Sequence, residues 1–139
     1  MASDVLAQAS ADLCSETEVS ELVRGFYARV REDALLGPVF AARVDDWEAH
    51  LLQLIDFWSA MLRGTRRFNG APMPKHMAMS ELSAALFERW LQLFRATTAE
   101  LGNVPMQRLA DDIAARIADT FWRRFRALHW PTLPMHPAG

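Results

Sequence analysis

Ser15 to Val30 reads SETEVSELVRGFYARV, and this stretch decides the fold class. Ser15 and Glu18 stand three apart. In that spacing a hydroxyl and a carboxylate each satisfy a backbone N–H at a helix start. Behind them Val19, Leu22, Val23, Phe26, Tyr27 and Val30 recur at steps of three and four. That is the period of one buried helix face, not the alternation of a strand.

The same period returns along the rest of the chain. Gly37-Pro38 breaks it after the first helix, and Val39-Phe40 follows as a short apolar knot. Asp45 and Glu48 predict a second helix start. It presents Trp47, His50, Leu51, Leu54, Phe57, Trp58, Met61 and Leu62 on one broad face. Gly64 is its expected stop. Arg63 to Pro74, RGTRRFNGAPMP, is dense in turn residues around Asn69-Gly70. Ser80 is the expected cap of a third helix with Leu82, Leu86, Phe87, Trp90, Leu91, Phe94 and Thr97, ended by Leu101-Gly102-Asn103. Pro105 suits the first turn of a fourth, which carries Met106, Leu109, Ile113, Ile117, Phe121, Trp122 and Phe125. The chain is all-α, with four principal helices and no strand pattern. An up-and-down bundle fits that count. The segment between the second and third helices exceeds the usual helix connection of about two to eight residues, and long loops often carry function.

A length of 139 residues suits one domain. We expect an N-terminal extension over residues 1–14, the domain over 15–128, and a flexible tail over 129–139, HWPTLPMHPAG. The net charge of −2 lacks the basic footprint of a nucleic-acid binder. Cys14 is the single cysteine, so an internal disulfide, a cysteine zinc cluster and an iron–sulfur site held by four thiolates of this chain are excluded. No apolar run approaches the ~20 residues of a membrane helix. The N-terminus, with Asp4 and Asp12 and no basic start, does not read as a secretory signal. A soluble, cytoplasmic protein is expected, with neither nucleic acid nor membrane as partner.

Five Trp and eight Phe stand beside a single Tyr. Such a set lines the site of a large flat ligand, or more commonly packs a helical core. Of four histidines, His129 and His136 fall in the tail. His50 lies on an apolar helix face, where a lone histidine is most often a satisfied hydrogen-bonding group. His76 sits in APMPKHMAM, Ala71 to Met79, between stiff prolines and soft methionines. By itself it is as readily an exposed loop residue as a ligand. Together, two imidazoles without nearby thiolates and a cavity-sized aromatic set point away from zinc and towards haem, whose iron takes a strong axial ligand from the protein. Tyr27 and Trp90 offer an O–H and an N–H from apolar faces. Each alone would be read as a core aromatic with its polar tip at the surface.

These residues carry a resemblance. FYARVREDALLGPVF (Phe26 to Phe40), DWEAHLLQLIDFWSAML (Asp46 to Leu62), FNGAPMPKH (Phe68 to His76) and FERWLQLF (Phe87 to Phe94) resemble, in this order and spacing, a truncated haemoglobin of the third group. The first two groups typically carry Gly-Gly pairs near helix joints, and this chain has none. The resemblance implies a globin-like two-over-two helical sandwich around haem b. It implies His76 as the proximal iron ligand and Tyr27 and Trp90 as hydrogen-bond donors to a diatomic ligand. His50 becomes the distal-helix histidine, either a sixth iron ligand or a gate or proton donor. Phe40 would stack on the porphyrin. Leu54, Phe57 and Trp58 would form the pocket wall, and Met73 and Met77 would touch the macrocycle. Lys75, and less specifically Arg66 and Arg67, would meet the propionates, although a solvated basic loop is the plainer role for the arginines.

The implied function is binding of O2, NO or CO for ligand chemistry, detoxification or sensing, and not bulk oxygen transport. NO dioxygenation or a peroxidase-like reaction is the enzymatic alternative. Either needs a separate reductase, because the chain has no strand–GxGxxG–helix unit. The alternative of another class is a cofactor-free helical interaction module, with Trp122-Arg123-Arg124-Phe125-Arg126 as its partner surface. Cations favoured near a helix C-terminus explain that run as well.

Overall fold

The computed structural model describes residues 9–65 and 84–129, the side chains of 124–129 excepted. Five helices are present among them: α1 Glu16–Glu32, α2 Gly37–Ala41, α3 Trp47–Arg63, α4 Ala84–Glu100 and α5 Val104–His129. No strand occurs among the described residues.

α1 begins with the expected reciprocal cap. Glu18 N–H donates to Ser15 Oγ at 3.0 Å, and Ser15 N–H donates to Glu18 Oε1 at 2.9 Å. Its six spaced apolar residues, Val19 to Val30, are all buried. After α1 the chain does more than break. The Asp33 carboxylate accepts from the N–H groups of Leu35 and Leu36, at 3.0 and 2.9 Å, and turns the backbone into α2. Pro38 sits in the first turn of α2, where its missing N–H leaves no bond unmade. Gly37 is there for lack of room, since a Cβ at this position would lie 2.8 Å from the Arg31 carbonyl oxygen.

The second long helix starts one residue later than the sequence predicts. Asp46, not Asp45, caps α3, its side chain accepting from Ala49 N–H at 3.1 Å. Glu48 is used otherwise, pairing with Arg24 of α1. Gly64 closes α3 in the left-handed conformation, φ 75°, as anticipated. Asn103 is more than a terminator of α4. Its Oδ1 accepts from Met106 N–H at 3.1 Å at the start of α5, and its Nδ2 donates back to the Leu13 carbonyl at 3.0 Å. The expected cap Ser80 lies outside the described residues.

Packing continues through the border drawn at residue 14. Cys14 is buried, Ser10 N–H donates to Leu62 O at 3.0 Å, and Arg63 Nε donates to Cys14 O at 2.9 Å. The last residues of the expected extension therefore close one side of the core.

α1 packs chiefly on α3 and α4 chiefly on α5, with further contacts between α1 and α4 and between α3 and α5. This is two helix pairs laid across each other, not a bundle of helices taken in sequence order. The centre is aromatic. Phe94 meets Phe26 edge-on at 5.1 Å and stacks with Trp58 at 5.0 Å. No helix among the described residues is long and apolar enough to cross a membrane.

Candidate functional site

Four helices deliver one polar–aromatic cluster. Tyr27 comes from the last turns of α1, Phe40 from α2, Trp47 and His50 from the first turn of α3, and Trp90 from α4. The Tyr27 ring is buried and lies 5.9 Å from Phe40, 5.9 Å from His50 and 6.2 Å from Trp47, centroid to centroid. His50 stands edge-on to Tyr27, at 85°. Its Nε2 is shielded from solvent. Burial pushes the Tyr27 hydroxyl up to about 12, against a hydrogen bond from Trp90 that acts in the other direction. An indole N–H can only donate, so the tyrosine oxygen accepts that bond and its O–H is left to donate elsewhere.

Beside this cluster lies an apolar recess, partly open to solvent. Phe40 and Trp90 belong to both. Leu36 and Val39 form its α2 side, Leu86 and Phe87 its α4 side, and Ala118 and Phe121 of α5 its back. Apolar and aromatic walls with donors gathered at one edge suit a flat, largely hydrophobic macrocycle that carries a polar reaction centre.

Two of these helices are tied by an ion pair whose carboxylate is buried and whose guanidinium is exposed. Arg89, next to Trp90, donates from Nε to Asp33 Oδ1 at 2.7 Å, and the Asp33 side chain is only 5% exposed. The Arg89 guanidinium, helped by the Leu35 and Leu36 N–H groups, holds the Asp33 carboxyl below its ordinary pKa despite burial. The turn that follows Tyr27 is thereby tied to the helix that carries Trp90.

Of the residues expected at the site, Tyr27, Phe40, His50 and Trp90 come together from four helices. Leu54 and Phe57 are half-buried along α3 and pack against the core edge. Trp58 lies in the interior on Phe94, 3% exposed. Met73, Lys75, His76 and Met77, with Arg66 and Arg67, lie outside the described residues. Leu36, Val39, Leu86, Phe87, Ala118 and Phe121 were not expected as lining. Their spacing is that of ordinary core residues. Ala118 gives no separate signal, since it continues the buried row of Ala110 and Ala114. Trp122, which a partner surface would turn outward, is half-buried with its ring 5.9 Å from Phe87.

Residues 12–121 match the bacterial-like globin family. A group 3 truncated hemoglobin of Campylobacter jejuni is 31% identical over 111 residues, which cover 77% of this chain and 87% of that protein. The crystal structure of a group III truncated hemoglobin from the same organism matches with a TM-score of 0.74 at 30% identity, covering 81% of this chain and 91% of that one. The helical fold is thus that of a globin: the chain belongs to the bacterial-like globin family, as a truncated haemoglobin of the third group.

Proposed function

We propose that this haem-binding globin retains a diatomic ligand under a tyrosine donor, for ligand chemistry, detoxification or sensing and not for bulk oxygen delivery. The observation that carries the reading is the buried Tyr27, gathered with His50 and Phe40, with the Trp90 indole lowering the hydroxyl's pKa against the effect of burial. Haem b would supply the iron that takes O2, NO or CO; His76 would be its protein ligand, and Phe40, Met73, Met77 and Lys75 would help to hold it. The protein does the rest. Burial keeps Tyr27 protonated far above neutral pH, so it is a donor under all physiological conditions. Trp90 occupies the tyrosine oxygen and so fixes the direction in which the O–H can point. A hydrogen bond to a ligand atom that carries partial negative charge is worth about 1–3 kcal/mol in such a site. That lengthens residence, which suits reaction or sensing better than release.

His50 fits either of two roles, sixth iron ligand in the absence of exogenous ligand, or gate and proton donor. A low-spin spectrum of the unliganded ferrous protein that disappears in His50→Ala supports the first, and a high-spin spectrum supports the second. NO dioxygenation or peroxide reduction would draw on a separate reductase, in keeping with a cytoplasmic setting.

The test is kinetic. Tyr27→Phe raises the dioxygen dissociation rate about tenfold or more, the equivalent of one lost hydrogen bond of ~1.4 kcal/mol. Trp90→Phe gives a smaller rise. The two effects are non-additive, because one residue acts through the other. Unchanged rates in both variants sink the reading. His76→Ala abolishes tight haem retention, read as loss of the Soret band on gel filtration.

A further inference from the structure

His50 enters the site from the first turn of α3, and α1 fastens that turn from the solvent side at two points. Arg24 makes a two-pronged ion pair with Glu48, at 3.0 and 2.9 Å. Two helical turns further along α1, the exposed Arg31 lays its guanidinium over the Trp47 ring, 4.6 Å from the centroid. Trp47 is the first residue of α3, directly after the Asp46 cap. Its ring also meets His50 at 5.7 Å and 87°, and Tyr27 at 6.2 Å. Trp47 is therefore layered between a solvent-facing cation and the two polar residues of the distal cluster. It is half-buried, whereas the His50 Nε2 behind it is sealed from water.

We propose that Trp47 is a gatepost latched by Arg31. With the guanidinium over its ring, Trp47 holds His50 inward and covers the passage between solvent and the distal side. Its displacement sets how fast a small ligand reaches the site. A cation–π contact at an exposed position is weak, so it breaks and reforms readily. The Arg24–Glu48 pair keeps the helix start anchored while the indole moves. A guanidinium stacked on an indole gives a planar, directional latch that an ammonium reproduces only in part. Trp47 and Arg31 are thus positioning residues that act through His50. The inference rests on the assignment of the Tyr27–His50–Trp90 side as the ligand side.

The experiment uses the full-length, haem-loaded ferrous protein in its carbon monoxide form. Two quantities are followed in Arg31→Met, Arg31→Lys and Trp47→Ala. The first is carbethoxylation of His50 by diethyl pyrocarbonate, read by mass spectrometry. The second is carbon monoxide association and dissociation, measured by flash photolysis and ligand replacement. In Arg31→Met and Trp47→Ala both His50 modification and carbon monoxide association speed up about fivefold, the Boltzmann equivalent of one exposed cation–π contact. Dissociation speeds up in step, since the ligand leaves by the same passage, and Arg31→Lys falls between wild type and Arg31→Met. Unchanged His50 modification and association in both Arg31→Met and Trp47→Ala overturn the proposal. A change confined to dissociation also overturns it, since it would place these residues on the bound ligand and not on its route. Arg31 is exposed, so Arg31→Met answers the question even where Trp47→Ala does not fold. If Tyr27→Phe leaves dioxygen release untouched while His50 still opens in these variants, the donor assignment fails and the latch stands.

Discussion

Phe26, Trp58 and Phe94 in the interior, and Phe40, Phe87 and Phe121 around the recess, are drawn from the same few residue types and behave in opposite ways. In the interior the rings close on one another, with Phe94 at 5.1 Å from Phe26 and 5.0 Å from Trp58. Around the recess they stand back from a small, partly open space. Trp90 is common to both, stacked on Phe94 at 5.6 Å and 16° on one side and bordering the recess on the other. The difference lies in what stands opposite. Along α5, Ala110, Ala114 and Ala118 are all buried. At Ala110 and Ala114 the small side chains admit the packed core. At Ala118 the same residue type borders the recess. Protein interiors are close-packed by default, so a space kept open between three helices marks a site.

The comparison breaks first at Phe94. Phe94→Ala empties the close-packed side and costs about 3–5 kcal/mol, as large-to-small changes in filled cores do. Phe121→Ala, at the border of the recess, costs nearer 3 kcal/mol, the low end of that range. Chemical unfolding of the two holoproteins side by side checks this, and equal losses would mean that the recess is not preformed. The next test sits at the border. Tyr27 keeps its proton to about 12 in the folded protein against 10 for the free side chain. Between those values the unfolded chain binds fewer protons, so stability present below pH 10 is lost as pH rises through 12. The loss is on the order of 2–3 kcal/mol. Tyr27→Phe should remove that alkaline slope in a pH series of unfolding curves. The smallest effect on stability is expected at Ala118→Leu, which fills space instead of creating it. Its mark is on the ligand. Haem transfer to an acceptor apoprotein speeds up about tenfold, matching overpacking by 1–2 kcal/mol.

Parts of this arrangement were legible in the sequence. The α1 cap and its buried face follow from local spacing alone, because both partners of every contact lie within one or two turns. Tyr27, Phe40, His50 and Trp90 were legible as a set through the resemblance their segments carry. The start of α3 was misplaced by one residue because two adjacent aspartates offer the same cap, and only the phase of the helix selects Asp46. The recess lining was not legible. Leu36, Leu86 and Ala118 obey the core period, and emptiness belongs to the meeting of three helices, not to any one of them. The Asp33–Arg89 pair joins positions 56 residues apart, with no local pattern to announce it. The expected iron ligand, His76, rests on the sequence alone.

That pair bears on the order in which the molecule assembles and opens. Arg89 can reach Asp33 only after the chain between them has closed into a loop, and ordering a loop of that length is entropically unfavourable. The Phe26–Phe94 contact brings the same two helices together with far more buried surface, so it is the one able to drive that closure. The ion pair is then a late addition that trims an interface already made. By the same reasoning, the α1–α2 turn can come loose while α1 and α4 stay packed. The amides of Leu35 and Leu36, held by the Asp33 carboxylate, should therefore exchange with solvent ahead of those of Phe26 and Tyr27. The rim of the ligand site is the part of this protein that breathes first.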